Sequence, residues 1–554
     1  MLKKPLLPAS LIASLCLLSS CMVGPNYKTP DSKVEKGWVS HKAVSPKPYG
    51  ESEMFWWKKF DDPTLVKLVE IAYENNPTLQ SVGVSILQER ALLDRSIGNL
   101  LPQQQGISGG YNFTYLPQLG NVGQNGAVNG ALNQLVNNSL SSINPFNVSN
   151  QFFFNASWEI DFWGKYRRKI ESDKADYLAS VTAYDNALVT LIGDVAQNYI
   201  HVRMYDKELE IVKANVAVQQ ESLRIATVRF HGGQTSQLDV TQAETELYKT
   251  ESSIPNLENS VRLSKNALAV LVGVPPSQID ALIPPGKLPS IPSELVVGIP
   301  NDLLRRRPDV RSAGLKAAGK SALIGVEITN LLPAFTLSGT FGSTGSTFGG
   351  QQLASIFNWQ NTLANAVTGF TMPVFNYGRL VNQVRVADAS FQQAILNYQN
   401  TVLQAQKEVE DGLSSYYQGR KSMEYLKQAV KASNESVRLA MVRYKEGQAN
   451  YTTVLTAEQQ QLSVEDSCVI AQGETVLGIV STYRSLGGGW ELRNGSDVIS
   501  DDVKKQMADR TNWGRMLKTK RHIPAVAPES VPVKSVPKTQ PPWDLLNVNK
   551  YSNG

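Results

Sequence analysis

The two halves of the chain carry the same motifs in the same order. Residues 221–230 match residues 435–444 at an offset of 214, and Gly233-Gln234 recurs as Gly447-Gln448 at that offset. Further upstream the offset is 231, because the first half has the longer loop between its two strand-like segments. A repeat of this length indicates an internal duplication in which each half folds into equivalent elements.

Long segments of both halves place an apolar residue at every seventh position. The first series is Leu188, Val195, Val202, Leu209, Val216, Leu223 and Phe230, and the second is Val402, Val409, Tyr416, Met423, Val430, Val437 and Tyr444. This spacing predicts coiled-coil packing. We expect long helices over 164–231, 236–272, 378–445 and 451–486, with a bend at Pro255 in the second. A continuous helix over the first range spans about 100 Å, which suits a tube better than a globule.

Two windows, 96–158 and 328–378, contain no Asp, Glu, Lys, Arg or His. Apolar and polar residues alternate within them, which predicts strands near 104–116, 152–163, 333–345 and 365–376. Strands of about ten residues with one apolar face are typical of a transmembrane barrel. Four strands cannot close a barrel, and open edges are not tolerated in lipid. The chain must therefore oligomerise.

The first residues predict export. Lys3 and Lys4 precede a short apolar stretch, as in a secretion signal. The stretch ends in Leu18-Ser19-Ser20-Cys21, which resembles the lipobox of bacterial lipoproteins and predicts a covalent lipid on Cys21. By the same resemblance, Met22 after the cysteine favours sorting to the outer membrane. The alternative is an ordinary signal peptide with a chance cysteine.

The repeat and the signal divide the 554 residues into five parts. They are a signal peptide (1–20), an N-terminal lipidated segment (21–62), a first structural repeat (63–299), a second structural repeat (300–490) and a polar, proline-containing tail (491–554). Because its composition is polar, we expect the tail to lie outside any core, wrapping the periplasmic exterior or remaining mobile.

The lipobox, the duplicated halves, Arg307-Pro-Asp-Val310 and Val374-Phe-Asn-Tyr-Gly-Arg379 resemble the TolC-like outer-membrane efflux proteins, in the branch of the NodT and OprM-type lipoproteins. The resemblance covers about Cys21 to Trp490. It implies an α+β membrane protein: a homotrimer whose chains each give four strands to a 12-stranded transmembrane β-barrel, continued by a coiled-coil α-helical barrel in the periplasm of a Gram-negative bacterium.

The same resemblance assigns roles to the turns between the long helices. They would meet a periplasmic adaptor protein through Arg229, Gly233, Gln234, Arg443, Gly447 and Gln448. Acidic residues just after such turns close the pore in the family, and Asp239 matches one of them. The second half departs from the pattern, so its gate would depend on Tyr451, Thr453 and Thr456. The alternatives are ordinary ones: Asp239 at a helix N-terminus and the arginines at helix C-termini each complement a helix dipole.

The resulting functional prediction is an exit duct of a tripartite efflux pump, fed by an RND-type inner-membrane pump through the adaptor. The alternatives are an exit channel for secreted polypeptides and a structural coiled-coil lipoprotein. No catalytic set stands out, so we predict no enzyme and no cofactor beyond the lipid. The four histidines lack metal-ligand spacing, and a net charge of +5 gives no case for nucleic acid. Gly314–Ser321 fits a phosphate-loop pattern but follows a helix start rather than a strand, so we decline nucleotide binding.

Overall fold

The computed structural model describes residues 22–31, 34, 37–39, 51–115, 146–291, 306–347, 353–494 and 496–517. The predicted signal peptide and Cys21 lie outside these residues. The nine principal helices of the described part are α1 (Pro63–Asn75), α2 (Pro77–Gly98), α3 (Lys165–His231), α4 (Gln237–Glu251), α5 (Ser253–Val272), α6 (Pro308–Thr329), α7 (Arg379–Lys445), α8 (Tyr451–Ser485) and α9 (Asp501–Arg510). Shorter helical turns are Glu51–Met54, Trp56–Phe60, Pro276–Gln278, Ile279–Leu282, Leu353–Phe357, Trp359–Asn361 and Trp490–Arg493. Among the helices described, none is both long and apolar enough to cross a bilayer.

The strands form one antiparallel sheet in the order β1-β2-β3-β4. They are β1 (Gln104–Tyr115), β2 (Phe146–Ile160), β3 (Ala334–Ser346) and β4 (Thr362–Thr371). In the register of the sheet, Ile107 lies opposite Phe154, and Phe154 opposite Phe341. These three side chains share one face and are 69%, 46% and 52% exposed. The other face is polar there, where Asn155 donates a hydrogen bond of 2.8 Å to Ser108. An exposed apolar face on a sheet is suited to lipid.

Two strands, β2 and β4, differ most from the expected bounds. The second strand ends at Ile160 rather than residue 163, because Asp161 accepts hydrogen bonds from the backbone N–H groups of Tyr166 and Arg167 and so begins the next helix. The fourth ends at Thr371 rather than residue 376, since Pro373 has no N–H for the ladder. Both strands also start earlier than expected.

The long helices follow the apolar heptads. α3 and α7 contain 67 residues each, and Leu188, Val195 and Val202 are fully buried along α3. The return helix of the first half is interrupted rather than bent: α4 ends at Glu251 and α5 begins at Ser253. Pro255 lacks the N–H that would bond to the carbonyl of Glu251, so the helix must restart.

The main core lies where α1, α2, α3 and α8 meet, at the C-terminal end of α8 and in the interior of α3. Trp56 stacks on Tyr483 there, with ring centroids 5.9 Å apart. The expectation that the tail lies outside any core is wrong for its first part, since Val498 and Ile499 are buried in this cluster. Arg493 is buried as well and pairs with the fully buried carboxylate of Asp185. The polar composition concealed these few inward-facing residues.

Candidate functional site at the helical tips

Each long helix ends in a tight turn of the same construction. We call residues 229–239 the first tip and residues 443–453 the second tip. Gly233 and Gly447 have φ angles of +71° and +74°, which glycine adopts without strain. The N–H of Gln234 bonds to the carbonyl of Arg229 at 2.9 Å, and that of Gln448 to Arg443 at 2.8 Å. These bonds satisfy the last carbonyls of each helix and reverse the chain.

Asp239 joins the two tips. It lies in the first turn of α4 and is half-buried. Its Oδ2 accepts a hydrogen bond of 3.1 Å from the Tyr444 hydroxyl, which belongs to the other half of the chain, and a second from Thr235. Hydrogen bonds to a carboxylate are stronger than those between neutral groups. The predicted gate residue therefore joins the two halves of the chain through a hydrogen bond.

Arg229 also contacts Tyr444, through the face of its ring. Its guanidinium lies 4.6 Å from the ring centroid, a cation–π distance. Tyr451 packs edge-on against the same ring at 5.4 Å. Burial raises the pKa of Tyr444 to about 12, and its bond to Asp239 adds to the shift. The phenol therefore stays protonated and donates at any physiological pH.

The remaining predicted residues lie in different surroundings. Tyr451 is buried in an apolar cluster rather than exposed to solvent. This tip cluster consists of Ile225, Ala226, Ala243, Ala440, Tyr444, Tyr451 and Val454. Thr453 and Thr456 are exposed, and Thr456 bonds back to the carbonyl of Thr452 at 2.8 Å. Gln234, Arg443 and Gln448 are exposed on the turns, where they are accessible to a partner. Their roles in gating and in adaptor binding stay predictions.

Sequence reasoning missed Tyr444, which is the partner of Asp239. The signal was present in the repeat: Tyr444 corresponds to Phe230 at the offset of 214, so the two halves differ there by one hydroxyl. Such a difference in an otherwise matched apolar series marks a residue whose polar group has a specific partner.

The structure also locates the motifs that the sequence did not support as binding sites. Gly314–Ser321 lies wholly within α6, so its amides are committed to helix bonds and cannot surround a phosphate. No group of His, Cys, Asp and Glu in the described residues has the arrangement of a metal site. Cys468 is a half-buried free thiol on α8.

The geometry defines a class of protein. A sheet with an exposed apolar face precedes helices that run about 100 Å away from it and end in polar, linked tips. This is the arrangement of a membrane-inserted channel with a long helical extension.

Comparisons with known proteins give the family. The sequence profile of the outer membrane efflux protein family matches residues 115–274 and 299–488. The pyoverdine export outer membrane protein OpmQ of Pseudomonas putida is 29% identical over 487 residues, which cover 86% of this chain and 97% of that protein. Nodulation protein T of Rhizobium leguminosarum bv. trifolii is 28% identical over 453 residues, or 81% and 90%. The solved structure of the outer-membrane channel OprN has a TM-score of 0.76 at 29% identity, covering 85% of this chain and all of that one.

The chain belongs to the outer membrane efflux protein family. The predicted resemblance to TolC-like outer-membrane efflux proteins is thereby confirmed. The protein is an efflux protein of the outer membrane, and its relatives are channels rather than enzymes.

Proposed function

We propose that the protein is a passive exit duct, a homotrimer whose subunits close one barrel in the outer membrane and one helical tube beneath it. The observation that carries the proposal is the four-stranded sheet. Its apolar face is exposed, and each edge strand, β1 and β4, has a single neighbour among the described strands. Edges of this kind need partners in lipid, and three copies provide the 12 strands that the family resemblance implies.

The helices support the same assembly. Several apolar residues of α7 are exposed in the single subunit, among them Leu396, Leu403 and Tyr425. Exposed apolar surface of this extent indicates an interaction surface, and neighbouring subunits around a tube would cover it.

The tips are the proposed inner entrance. Val228, Leu238 and Val442 are apolar and exposed beside the turns, a composition suited to a periplasmic adaptor protein that connects the duct to an inner-membrane pump. The duct itself supplies no energy. It opens when the contact between Asp239 and Tyr444 breaks and the helices of the two halves separate.

Imaging tests the assembly. Particles of the detergent-extracted protein, averaged side-on and end-on, should show a hollow cylinder longer than about 100 Å with threefold end views. Solid rods or single subunits would contradict the duct and favour a structural lipoprotein.

A transport assay then tests the entrance. In a strain that lacks its own exit duct, the wild-type chain should restore efflux when its pump and adaptor are present. Asp239→Ala should raise the leak of a bulky antibiotic through the resting duct, whereas Asp388→Ala, a change in the same helical tube but far from the tips, should not. Equal sensitivity of the two variants would remove Asp239 from the gate.

A further inference from the structure

A polar row runs along one face of α3, beside its apolar heptad series. Its members are spaced by seven residues, which places them on one side of the coiled coil: Asp194, His201, Glu208, Asn215 and Ser222. On α8, Arg484, Glu465 and Glu458 are hydrogen-bonded to Asp194, Asn215 and Ser222. Glu474 and Asp466 act on His201 and Glu208 through their charges. We call these ten residues the α3–α8 seam. It joins the first half of the chain to the second.

The seam is a polar interface in which four of the five α8 residues are acidic. Arg484 donates to Asp194 at 2.9 Å, and Asn215 donates to Glu465 at 2.8 Å. Burial increases toward the tips. The pair of Asp194 and Arg484 is about one-third exposed, whereas Ser222 and Glu458 are 0% and 1% exposed. The acidic groups nearest the tips are therefore the ones that water solvates least.

Glu458 has the surroundings of a neutral carboxyl. Its Oε2 is buried without a partner in the described chain, and its Oε1 contacts the Ser222 hydroxyl. That hydroxyl has one proton and a second acceptor, the Val218 carbonyl at 3.1 Å. When the hydroxyl proton goes to Val218, only a proton on the carboxyl can complete the contact with Glu458.

The neighbours of Glu458 strengthen this assignment. On α4, Glu246 accepts a hydrogen bond of 2.7 Å from Gln459 and lies 3.7 Å from the Lys249 ammonium. Of the two carboxylates, Glu246 and Glu458, it is therefore Glu246 that has a cationic partner. On α3, Arg224 is bound to Glu221 on the outside. Burial raises the pKa of Glu458 to about 7; the Ser222 contact lowers it, and the charge of Glu246 raises it.

Two more carboxyls of the seam lie further from the tips. Glu208 is buried and Asp466 is half-buried, and neither has a hydrogen bond or ion pair within the described residues. Burial, with the charge of Asp466 as the second cause, raises the pKa of Glu208 to about 7, and burial raises that of Asp466.

Two lysines of the neighbouring helices are paired with other acidic residues. Lys213 on α3 pairs with Glu258, and Lys265 on α5 pairs with Asp280. Glu208 is 6% exposed and has no ion pair within the described residues, so burial favours its neutral form.

We propose that the α3–α8 seam is a proton-dependent latch: the closed duct holds one proton on Glu458 and one on Glu208, and separation of α3 from α8 releases both. This inference rests on the proposed function, since the separation of these helices is the opening step. It adds that periplasmic acidity stabilises the closed state.

The direction follows from the pKa change. In the open state water solvates these carboxyls and they return to their ordinary pKa near 4.5, whereas in the closed state the pKa of Glu458 is about 7. The closed state therefore binds more protons between these values. The extra stability that these protons give the closed state is complete below the open-state pKa. It is lost as the pH rises through the closed-state pKa. For one carboxyl, the closed-to-open ratio should fall about seventyfold between pH 5 and pH 8.

Single-channel recording of the full-length protein in planar bilayers tests the latch. Wild-type open probability should rise between pH 5 and pH 8. Glu458→Gln and Glu208→Gln mimic the protonated forms, so the double variant should stay closed at pH 8 and lose most of the pH dependence. The matched control is Glu244→Gln, since Glu244 is the counterpart of Glu458 at the offset of 214 and is half-exposed. It should behave as the wild type does.

The outcomes separate the two proposals. A wild-type open probability that is flat from pH 5 to pH 8, or a double variant that keeps the full pH dependence, would overturn the latch and leave the duct intact. Each single variant should show the wild-type unit conductance at pH 5, which demonstrates folding, and should remove about half of the dependence. If the wild type conducts at no pH, the exit duct fails and the latch fails with it.

Discussion

The contact between Tyr444 and Asp239 offers the sharpest test of how the tips are held. Tyr444→Phe removes one hydroxyl and keeps the ring on which Arg229 and Tyr451 pack. The lost bond, 3.1 Å from oxygen to carboxylate oxygen, belongs to the charge-assisted class, for which about 1.5–3 kcal/mol is typical. Because Asp239 is half-exposed, water replaces part of the loss and the lower figure applies.

A loss of about 1.5 kcal/mol changes an equilibrium roughly tenfold. The open probability of a largely closed duct should therefore rise about tenfold for each tip that opens independently, and more steeply if the tips open together. The assay is single-channel recording at fixed pH, together with antibiotic sensitivity of cells that express the variant.

Tyr451→Phe is the matched control. It removes a hydroxyl from the neighbouring ring of the same cluster and leaves the bond between Tyr444 and Asp239 in place. We expect little change in open probability. If both variants open the duct equally, the effect comes from packing of the cluster, and the reasoning from the carboxylate bond is refuted.

Three further changes probe the anchor, the core and the turns. Cys21→Ser should abolish labelling by radioactive palmitate yet leave membrane insertion intact, and unchanged labelling would contradict the lipobox. Asp185→Asn removes the buried carboxylate that pairs with Arg493 and should cost about 3–5 kcal/mol, whereas Asp194→Asn, at a pair about one-third exposed, should cost under about 1 kcal/mol; equal melting temperatures by circular dichroism would contradict this. Gly233→Ala should destabilise the tip by about 1 kcal/mol of backbone strain and so lower its melting temperature, and Gly232→Ala, where φ is −78°, should not.

Much of the helical architecture could be predicted from the sequence. The apolar heptads place the bounds of α3, α7 and α8 within a residue of those observed, because burial against a neighbouring helix requires the same spacing over the whole length. The strands were less certain at their ends. Alternation marks a strand but does not locate the residue that ends it, which at β2 is a helix cap and at β4 a proline.

The polar contacts were harder to predict, because they join residues that are distant in sequence. Asp239 is visible as an acidic residue after a turn, yet nothing near it points to Tyr444, 205 positions away. The pairing of Asp185 with Arg493 spans 308 positions. A helical period shows which face of a helix is buried, but not which residue of the facing helix lies opposite a given side chain.

The two tips show how a duplicated chain can keep a polar contact in only one of two equivalent places. At the offset of 214, Asp239 corresponds to Thr453, Thr235 to Ala449 and Tyr444 to Phe230. All the groups that make the carboxylate contact are thus absent from the opposite pair, where Phe230 and Thr453 are exposed. The turns themselves are the same in both halves, including the glycine φ angles. The backbone of the duplication therefore persists while its polar contacts have diverged. One tip supplies the acceptor and the other the donor, so this carboxylate contact forms once in each subunit, and removing it should loosen the entrance.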